Sequence, residues 1–419
     1  MKVVLLNTSE RIGGAAIAAN RLMKALIDNK IEVKTLVLRK QTDDENVISI
    51  QSSFIKRQIA QINFLWERWV IFVQNHFSKE NLFKISIANT GFSVSKHPLV
   101  KEADIIHIHW INQGFISLCG LEKLIKTGKP IFWTMHDMWA CTGICHHARE
   151  CKNYQTQCHD CFYFNKPENR DLSYQLFNKK KTIYQSGKIV FITCSRWLKN
   201  NAGKSALLSS QKIFTIPNPI DTSLFRPMNK SLCREKLNLP NNKKLILFGA
   251  VKISDERKGI HYLIKAIEFL CQKSEANGLE LIIFGKSNMD LSKISGLKVH
   301  SLNFLSNEED IISVYNAADV YVTPSLEENL PNTIMESMAC GTPCIGFNIG
   351  GIPEMIDHKL NGYVAEYKSA EDLATGIYWT LFEADYKQLS QNAGQKAIDC
   401  YSEKIVAEQY ISLYKQYYQ

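Results

Sequence analysis

Short apolar runs alternate with longer amphipathic ones along this chain, and that alternation sets the elements before any residue chemistry is considered. Val3–Leu6, Ile31–Leu38, Asp104–Trp110, Pro130–Met135 and Ile189–Cys194 are β-branched and aromatic runs of strand length, reading as buried strands. An Ala-rich stretch of helical spacing, Ala15–Ile27, follows a turn at Gly13–Gly14. The pattern resumes with strands expected at Lys244–Phe248, Leu281–Phe284, Val299–Phe304, Val320–Thr323 and Pro343–Phe347. Helices are expected from Gly259, over Glu308–Ala318, from Pro331 to about Cys340, over Ala370–Leu381 and through the tail from Lys387 to Gln419. Strands alternating with helices predict parallel sheets covered on both faces, so the fold class is α/β.

Between the two series, Ile213–Ile216 leads into PNPIDTSLFRP, three prolines in eleven residues with no helical period, which reads as a linker. The expected organisation is a first domain over 1–216, a linker over 217–227, a second domain over 228–395 and a terminal helix over 396–419. At 419 residues the chain is long enough for two cores. No apolar run approaches the ~18 residues of a membrane span. MKVVLLNT reads as a first strand rather than a leader, which places the protein in the cytoplasm.

Charge changes the picture. Residues 1–222 hold 30 Lys and Arg against 17 Asp and Glu, whereas residues 223–419 hold 20 against 24. The basic front half suits either an anionic partner (a lipid surface, a lipid phosphate or a nucleic acid) or plain solubility. Within it, residues 54–77 form a helical stretch rich in Phe, Trp and Ile, with Lys56, Arg57 and Arg68 among them. It reads either as a helix packed on the sheet or as one lying at a membrane interface, which would make the protein peripheral on the inner membrane face.

The candidate chemistry centres on VYVTPSLEENLPNTIMESMACGTPCIGFNIGGIPE, residues 320–354. It predicts strand, polar loop, helix, strand and glycine loop. Pro324 ends the first strand, having no N–H for the ladder. Pro331 suits the first turn of the helix, with Asn329 or Asn332 as its cap. Gly341 and Pro343 stop the helix, and Gly350–Gly351 lets the backbone approach a ligand closely. Glu328 lies in the loop and Glu336 in the helix, so one corner presents both carboxylates beside helix N–H groups, an arrangement for a diphosphate flanked by sugars. Two solvated acids on an ordinary helix would read the same without that context.

These residues resemble the donor-binding signature of the retaining family 4 glycosyltransferases. Pro324, Ser325, Glu328, Glu336, Gly341, Pro343, Gly350, Gly351 and Glu354 all fall in place, while Asn329, Leu330, Pro331 and Asn332 stand where the family usually has Gly-Phe-Gly-Leu. The resemblance implies the GT-B fold, two doubly wound Rossmann-like domains facing across a cleft, with a C-terminal helix crossing back to the first. It implies a retaining hexosyltransferase acting on a nucleotide-diphosphate sugar, a UDP-sugar foremost. The acceptor would be a saccharide or lipid-linked saccharide in cell-surface polysaccharide assembly. Glu328 would hold hydroxyls of the transferred sugar and Glu336 the ribose. Gly13 and Gly14 would face the donor, and His136 would lie near the transferred sugar, ahead of His107 and His109. Arg257 and Lys258 would take the diphosphate in place of a catalytic metal, so none is expected.

Five of the twelve cysteines fall between 141 and 161. Cys145, Cys151, Cys158 and Cys161 offer four thiolates for a structural zinc; free thiols and disulfides are the other readings. Two further functions fit parts of the chain: a nucleotide-sugar epimerase of the same architecture, and a basic zinc module binding nucleic acid, which leaves the two glutamates and the glycine loops unexplained.

Overall fold

The computed structural model describes residues 1–272, 277–286, 296–305 and 307–418; Gln419, the last residue of the expected tail helix, lies outside them. The chain divides into two compact units, Met1–Pro219 with Val406–Gln419, and Ile220–Ile405. Each is built on one parallel sheet.

In the first unit the strands are β1 Lys2–Ser9, β2 Glu32–Arg39, β3 Val47–Ser49, β4 Ile105–Ile108, β5 Ile131–Met135, β6 Ile189–Thr193 and β7 Lys212–Thr215. They lie in the order β3-β2-β1-β4-β5-β6-β7. The chain winds outward from β1 in one direction and then returns to start β4 on the other side, so β1 and β4 flank a topological switch point. Open α/β sheets place ligands at the carboxyl ends of such strands. The segment Val406–Tyr414 belongs to this unit, packing Val406, Ala407, Tyr410, Leu413 and Tyr414 into one core with Val3, Leu5, Phe132 and Val190. Tyr414 Oη meets His107 Nδ1 at 2.6 Å, and Thr134 Oγ1 meets His107 Nε2 at 2.8 Å. His107 is thereby a core histidine with both ring nitrogens satisfied.

The second unit has β8 Lys244–Lys252, β9 Leu279–Lys286, β10 Lys298–Ser301, β11 Val320–Thr323, β12 Cys344–Phe347 and β13 Gly362–Ala365, in the order β10-β9-β8-β11-β12-β13. Its switch point lies between β8 and β11. The strand bodies are apolar on both faces, with Leu245 to Phe248, Leu281 to Ile283 and Val320 to Val322 almost wholly buried. This is what a sheet sandwiched between helices requires.

Several local expectations are corrected. Helix Asn332–Ala339 has Pro331, rather than Asn329 or Asn332, at its cap position. The tail is two helices, Tyr386–Tyr401 and Glu403–Lys415. Strand β1 runs on through Asn7–Ser9, where Thr8 N donates to Trp110 O at 2.7 Å and extends the pairing with the chain beyond β4. Among the described residues no helix is long and apolar enough to cross a membrane.

Candidate functional site

At the switch point of the second unit, two loops are locked together by backbone. Gly259, at φ +67°, starts helix Ile260–Leu270, and a Cβ there would lie 1.9 Å from Pro324 O. Leu326 N donates to Arg257 O at 2.7 Å. A glycine is required at 259 both by its left-handed backbone and by this close approach. Gly350, at φ +61°, plays the same part beneath the second loop, where a Cβ would lie 1.8 Å from Glu328 O. The close approach expected of Gly350 is thus to the chain's own backbone at Glu328.

Inside this clamp, Lys258 Nζ and Glu328 Oε1 form a close ion pair. Ser325 Oγ donates to the same oxygen at 3.3 Å, and Ser325 Oγ lies 3.1 Å from Thr323 Oγ1. The lysine expected to take phosphate and the carboxylate expected to take sugar hydroxyls are therefore each other's partners. Arg257 turns onto Asp255, with Nε at 3.2 Å from Oδ1 and Nη2 at 2.7 Å from Oδ2. Burial alone would raise the Asp255 pKa, but these bonds hold it below the ordinary carboxylate range. Glu336 is buried on helix Asn332–Ala339, and its Oε2 accepts from Tyr315 Oη at 3.0 Å. Burial first, and then the Glu336 charge, pushes the Tyr315 phenol well above its usual pKa, so it stays a donor. The Tyr321 phenol is raised chiefly by burial, and the charges of Glu328 and Glu336 add to this. Asn329, Leu330 and Pro331 are buried between them in sequence and Asn332 is half-buried, so this stretch shapes the floor of the corner.

The first unit builds its strand ends from different chemistry. Gly13, at φ +95°, caps helix Gly14–Asp28; Gly13 and Gly14 are both exposed, and nothing lies within 4 Å of the place a Gly13 Cβ would occupy. Just past β4 and β5, His109 Nδ1 and His136 Nε2 are hydrogen-bonded at 3.0 Å, and His136 Nδ1 lies 3.6 Å from Cys194 Sγ. Both nitrogens of His136 thus face protein. Of the two rings, His109 carries a buried nitrogen without a hydrogen-bond partner, Nε2, and Asn112 Nδ2 is likewise buried and unpartnered. Both residues line a cavity with Trp110, His136, Asp137 and Trp139, little larger than a water molecule. Burial lowers His136 to about 4 and His109 well below its usual value, so both are neutral near pH 7.

Asp137 and His146 were not singled out by the sequence, although an Asp directly after His136 at a strand end was a signal. Asp137 Oδ2 accepts from Trp110 Nε1 at 3.0 Å and meets His146 Nδ1 at 2.7 Å, while its Oδ1 accepts from Trp139 N at 2.8 Å. Burial opposes its charge, yet His146 and these bonds hold it at about 2. The far nitrogen of His146 meets Ser86 Oγ at 3.0 Å. The Cys-rich segment is therefore tied to the end of β5 through His146.

Its cysteines include the four expected to hold a structural zinc. Cys145, Cys151, Cys158 and Cys161 are free thiols, and among the described residues no three His, Cys, Asp or Glu side chains are arranged to hold a metal ion. Burial pushes the Cys145 thiol up to about 11 and Cys158 up to about 12, so these sulfurs are protonated. Cys158 Sγ accepts from Gly143 N at 3.3 Å, and Cys145, Cys158 and Cys161 pack in the same core as Trp139 and Tyr163. They act as small apolar fillers.

Comparison with known proteins agrees with this architecture. An uncharacterized glycosyltransferase of Methanocaldococcus jannaschii is 25% identical over 420 residues, covering 96% of this chain and 94% of that one. The N,N'-diacetylbacillosaminyl-diphospho-undecaprenol alpha-1,3-N-acetylgalactosaminyltransferase of Campylobacter jejuni is 28% identical over 187 residues, covering 44% of this chain and 48% of that one. The crystal structure of Anabaena HepE in complex with UDP-glucose superposes with a TM-score of 0.64 at 15% identity, over 99% of this chain and 100% of that one, which shows the fold. Residues 229–398 match Glycosyl transferases group 1, and residues 12–224 match Glycosyltransferase Family 4. With two Rossmann-like parallel-sheet units and a family match over half its length, the chain belongs to the family 4, group 1 glycosyltransferases of GT-B fold.

Proposed function

We propose that this glycosyltransferase is a retaining hexosyltransferase that takes a hexosyl group from a UDP-sugar. The acceptor is a saccharide or lipid-linked saccharide in cell-surface polysaccharide assembly. The observation that carries the reading is the Lys258–Glu328 pair at the β8/β11 switch point, with Glu336 in the same corner. A donor diphosphate arriving at Lys258, Arg257 and the first turn of helix Asn332–Ala339 competes for the lysine. It thereby releases the Glu328 carboxylate toward the sugar hydroxyls. Glu336, fixed by Tyr315, takes the ribose. Charge growing on the leaving diphosphate is met by the two cations and the helix N–H groups, so the reaction uses no catalytic metal. The acceptor hydroxyl attacks from the face the diphosphate leaves, which retains the anomeric configuration. In the first unit Gly13 and Gly14 leave room for the donor, and the neutral His109–His136 pair suits uncharged hydroxyls.

The Campylobacter enzyme's undecaprenol-linked acceptor and the UDP-glucose bound to HepE support this choice of acceptor and donor. The basic front half supports a working place against an anionic membrane surface. The test is thermal stability against a panel of nucleotides and nucleotide sugars, where a ligand at 100-fold its Kd adds roughly 2.7 kcal/mol. A shift with UDP and one UDP-sugar, followed by transfer with retention to a lipid-linked saccharide, is expected. Selective stabilisation by a GDP or ADP sugar, or an epimerised donor formed without acceptor, overturns the reading.

A further inference from the structure

Helix Phe54–Gln74 is built inside out. Its buried residues are Ala60, Asn63, Glu67, Arg68 and Ile71, four of them small, polar or charged. Glu67 and Arg68 pair at 3.0 Å; Glu67 Oε1 accepts from Ile87 N at 2.8 Å and Ala88 N at 2.9 Å, while Arg68 Nη1 donates to Ile85 O at 3.1 Å. The side toward solvent carries the apolar residues: Ile55 is 70% exposed, Ile62 62%, Leu65 63%, Trp66 51% and Trp69 53%. Positions 55, 59, 62, 66 and 69 follow the four-three spacing of one helical stripe, and the Trp66 and Trp69 rings stack at 5.0 Å. A helix on a water-soluble surface shows the reverse distribution. A continuous apolar stripe of this kind is a docking surface.

Charge selects the occupant. With Glu67 and Arg68 buried, the ionised residues of this helix that face solvent are Lys56 and Arg57, both cations. Past its end, exposed Phe77 and Phe83 stand with exposed Lys79 and Lys84 against a single acid, Glu80. A second copy of the chain would bring another strongly basic half with no row of acids to meet it. An anionic lipid surface supplies both an apolar layer and phosphates.

We propose that the exposed face of helix Phe54–Gln74 lies in the interface of an anionic bilayer, with Ile62, Trp66 and Trp69 at the boundary of headgroup and acyl chain and Lys56 and Arg57 on headgroup phosphates. The inference deepens the proposed lipid-linked acceptor by naming the surface that brings the enzyme to it. The test is sedimentation of the full chain with vesicles of phosphatidylcholine alone or mixed with phosphatidylglycerol, without donor or acceptor. Binding to the mixed vesicles is expected, roughly tenfold or more weaker to phosphatidylcholine alone. The I62S/W66S/W69S variant should lose binding by about tenfold or more, and K56A/R57A should lose its dependence on phosphatidylglycerol and on salt. Circular dichroism checks that both variants fold.

Wild-type sedimentation by I62S/W66S/W69S overturns the proposal. So does failure of the parent chain to bind either vesicle, or a dimer in solution that I62S/W66S/W69S dissociates while vesicles are ignored. Transfer to a short soluble acceptor is measured in parallel. Vesicle binding without transfer sinks the proposed function and leaves the surface standing; transfer without vesicle binding does the opposite.

Discussion

The two units share one sheet topology and differ in the electrostatics of their strand ends. Beyond β8 and β11, Lys258 and Glu328 are partly open to solvent and form an ion pair. Beyond β4 and β5, His109 and His136 share a hydrogen bond in a buried setting that strips them of charge. The same sheet connectivity thus supplies two kinds of corner, and the side chains placed on it decide the chemistry. Paired ions can be exchanged for a charged ligand group at little net cost, because the ligand replaces one charge partner with another. Neutral buried histidines cannot neutralise a phosphate, and they discriminate through single hydrogen bonds.

Acid should break this contrast most strongly. His107 in the first unit is fully buried and lowered to about 3, whereas an unfolded histidine titrates near 6.5. Between those values the unfolded chain binds more protons, so stability falls as pH drops through the window, by on the order of 5 kcal/mol at its lower end. Urea midpoints measured across the window should decline in the parent protein and decline less in H107Q; equal slopes would refute the assignment.

Next in size is Gly350→Ala in the second unit. A left-handed backbone and a Cβ 1.8 Å from Glu328 O should cost about 3–4 kcal/mol, read as a lowered urea midpoint. A change within experimental error would mean that the loop shifts freely. Glu328→Gln keeps shape and removes charge; turnover should drop about a hundredfold while nucleotide affinity stays within a few-fold. Unchanged turnover would remove Glu328 from the reaction. Glu336→Ala should act the other way, weakening UDP-sugar binding by roughly tenfold, with a smaller effect on the saturated rate. The smallest effect concerns the cysteines. Dialysis against a strong chelator should leave the melting temperature where it was, since among the described residues no group of three ligating side chains is arranged for a metal ion. A fall of several degrees would restore a structural zinc.

Much of the second unit was legible because its signals are local. The run from Val320 to Glu354 carries strand, turn, helix and glycine loop in one segment, and β11 falls where its four β-branched and aromatic residues place it. The partner of Glu328 was less legible: Lys258 lies 70 positions earlier, and a lysine next to a glycine reads as a solvated turn until Gly259 is seen against Pro324. In the first unit, period-two alternation puts His107 and His109 on one face of the strand, and their ring centroids lie 4.4 Å apart. It could not divide their roles, because the division depends on Tyr414, far away in sequence. In the Cys-rich segment, four cysteines within seventeen residues suggest a ligand set by composition alone, and composition does not say where their sulfurs point. The apolar face of helix Phe54–Gln74 is the converse case: its spacing was plain, but the side of the helix turned inward was fixed by Glu67 receiving the Ile87 and Ala88 amides.

The partnership of His107 with Tyr414 also bears on how the protein is made. A ribosome delivers residues 1–219 first and then the whole of 220–405, and only afterwards the segment whose Tyr410 and Tyr414 cover β4 and β5. The earlier-synthesised sheet must therefore wait with Phe132 and His107 uncovered while the later-synthesised one completes itself. During that interval the nascent first unit is a natural client for chaperones. Termination just after residue 405 would leave an intact second unit joined to a first one that can never close.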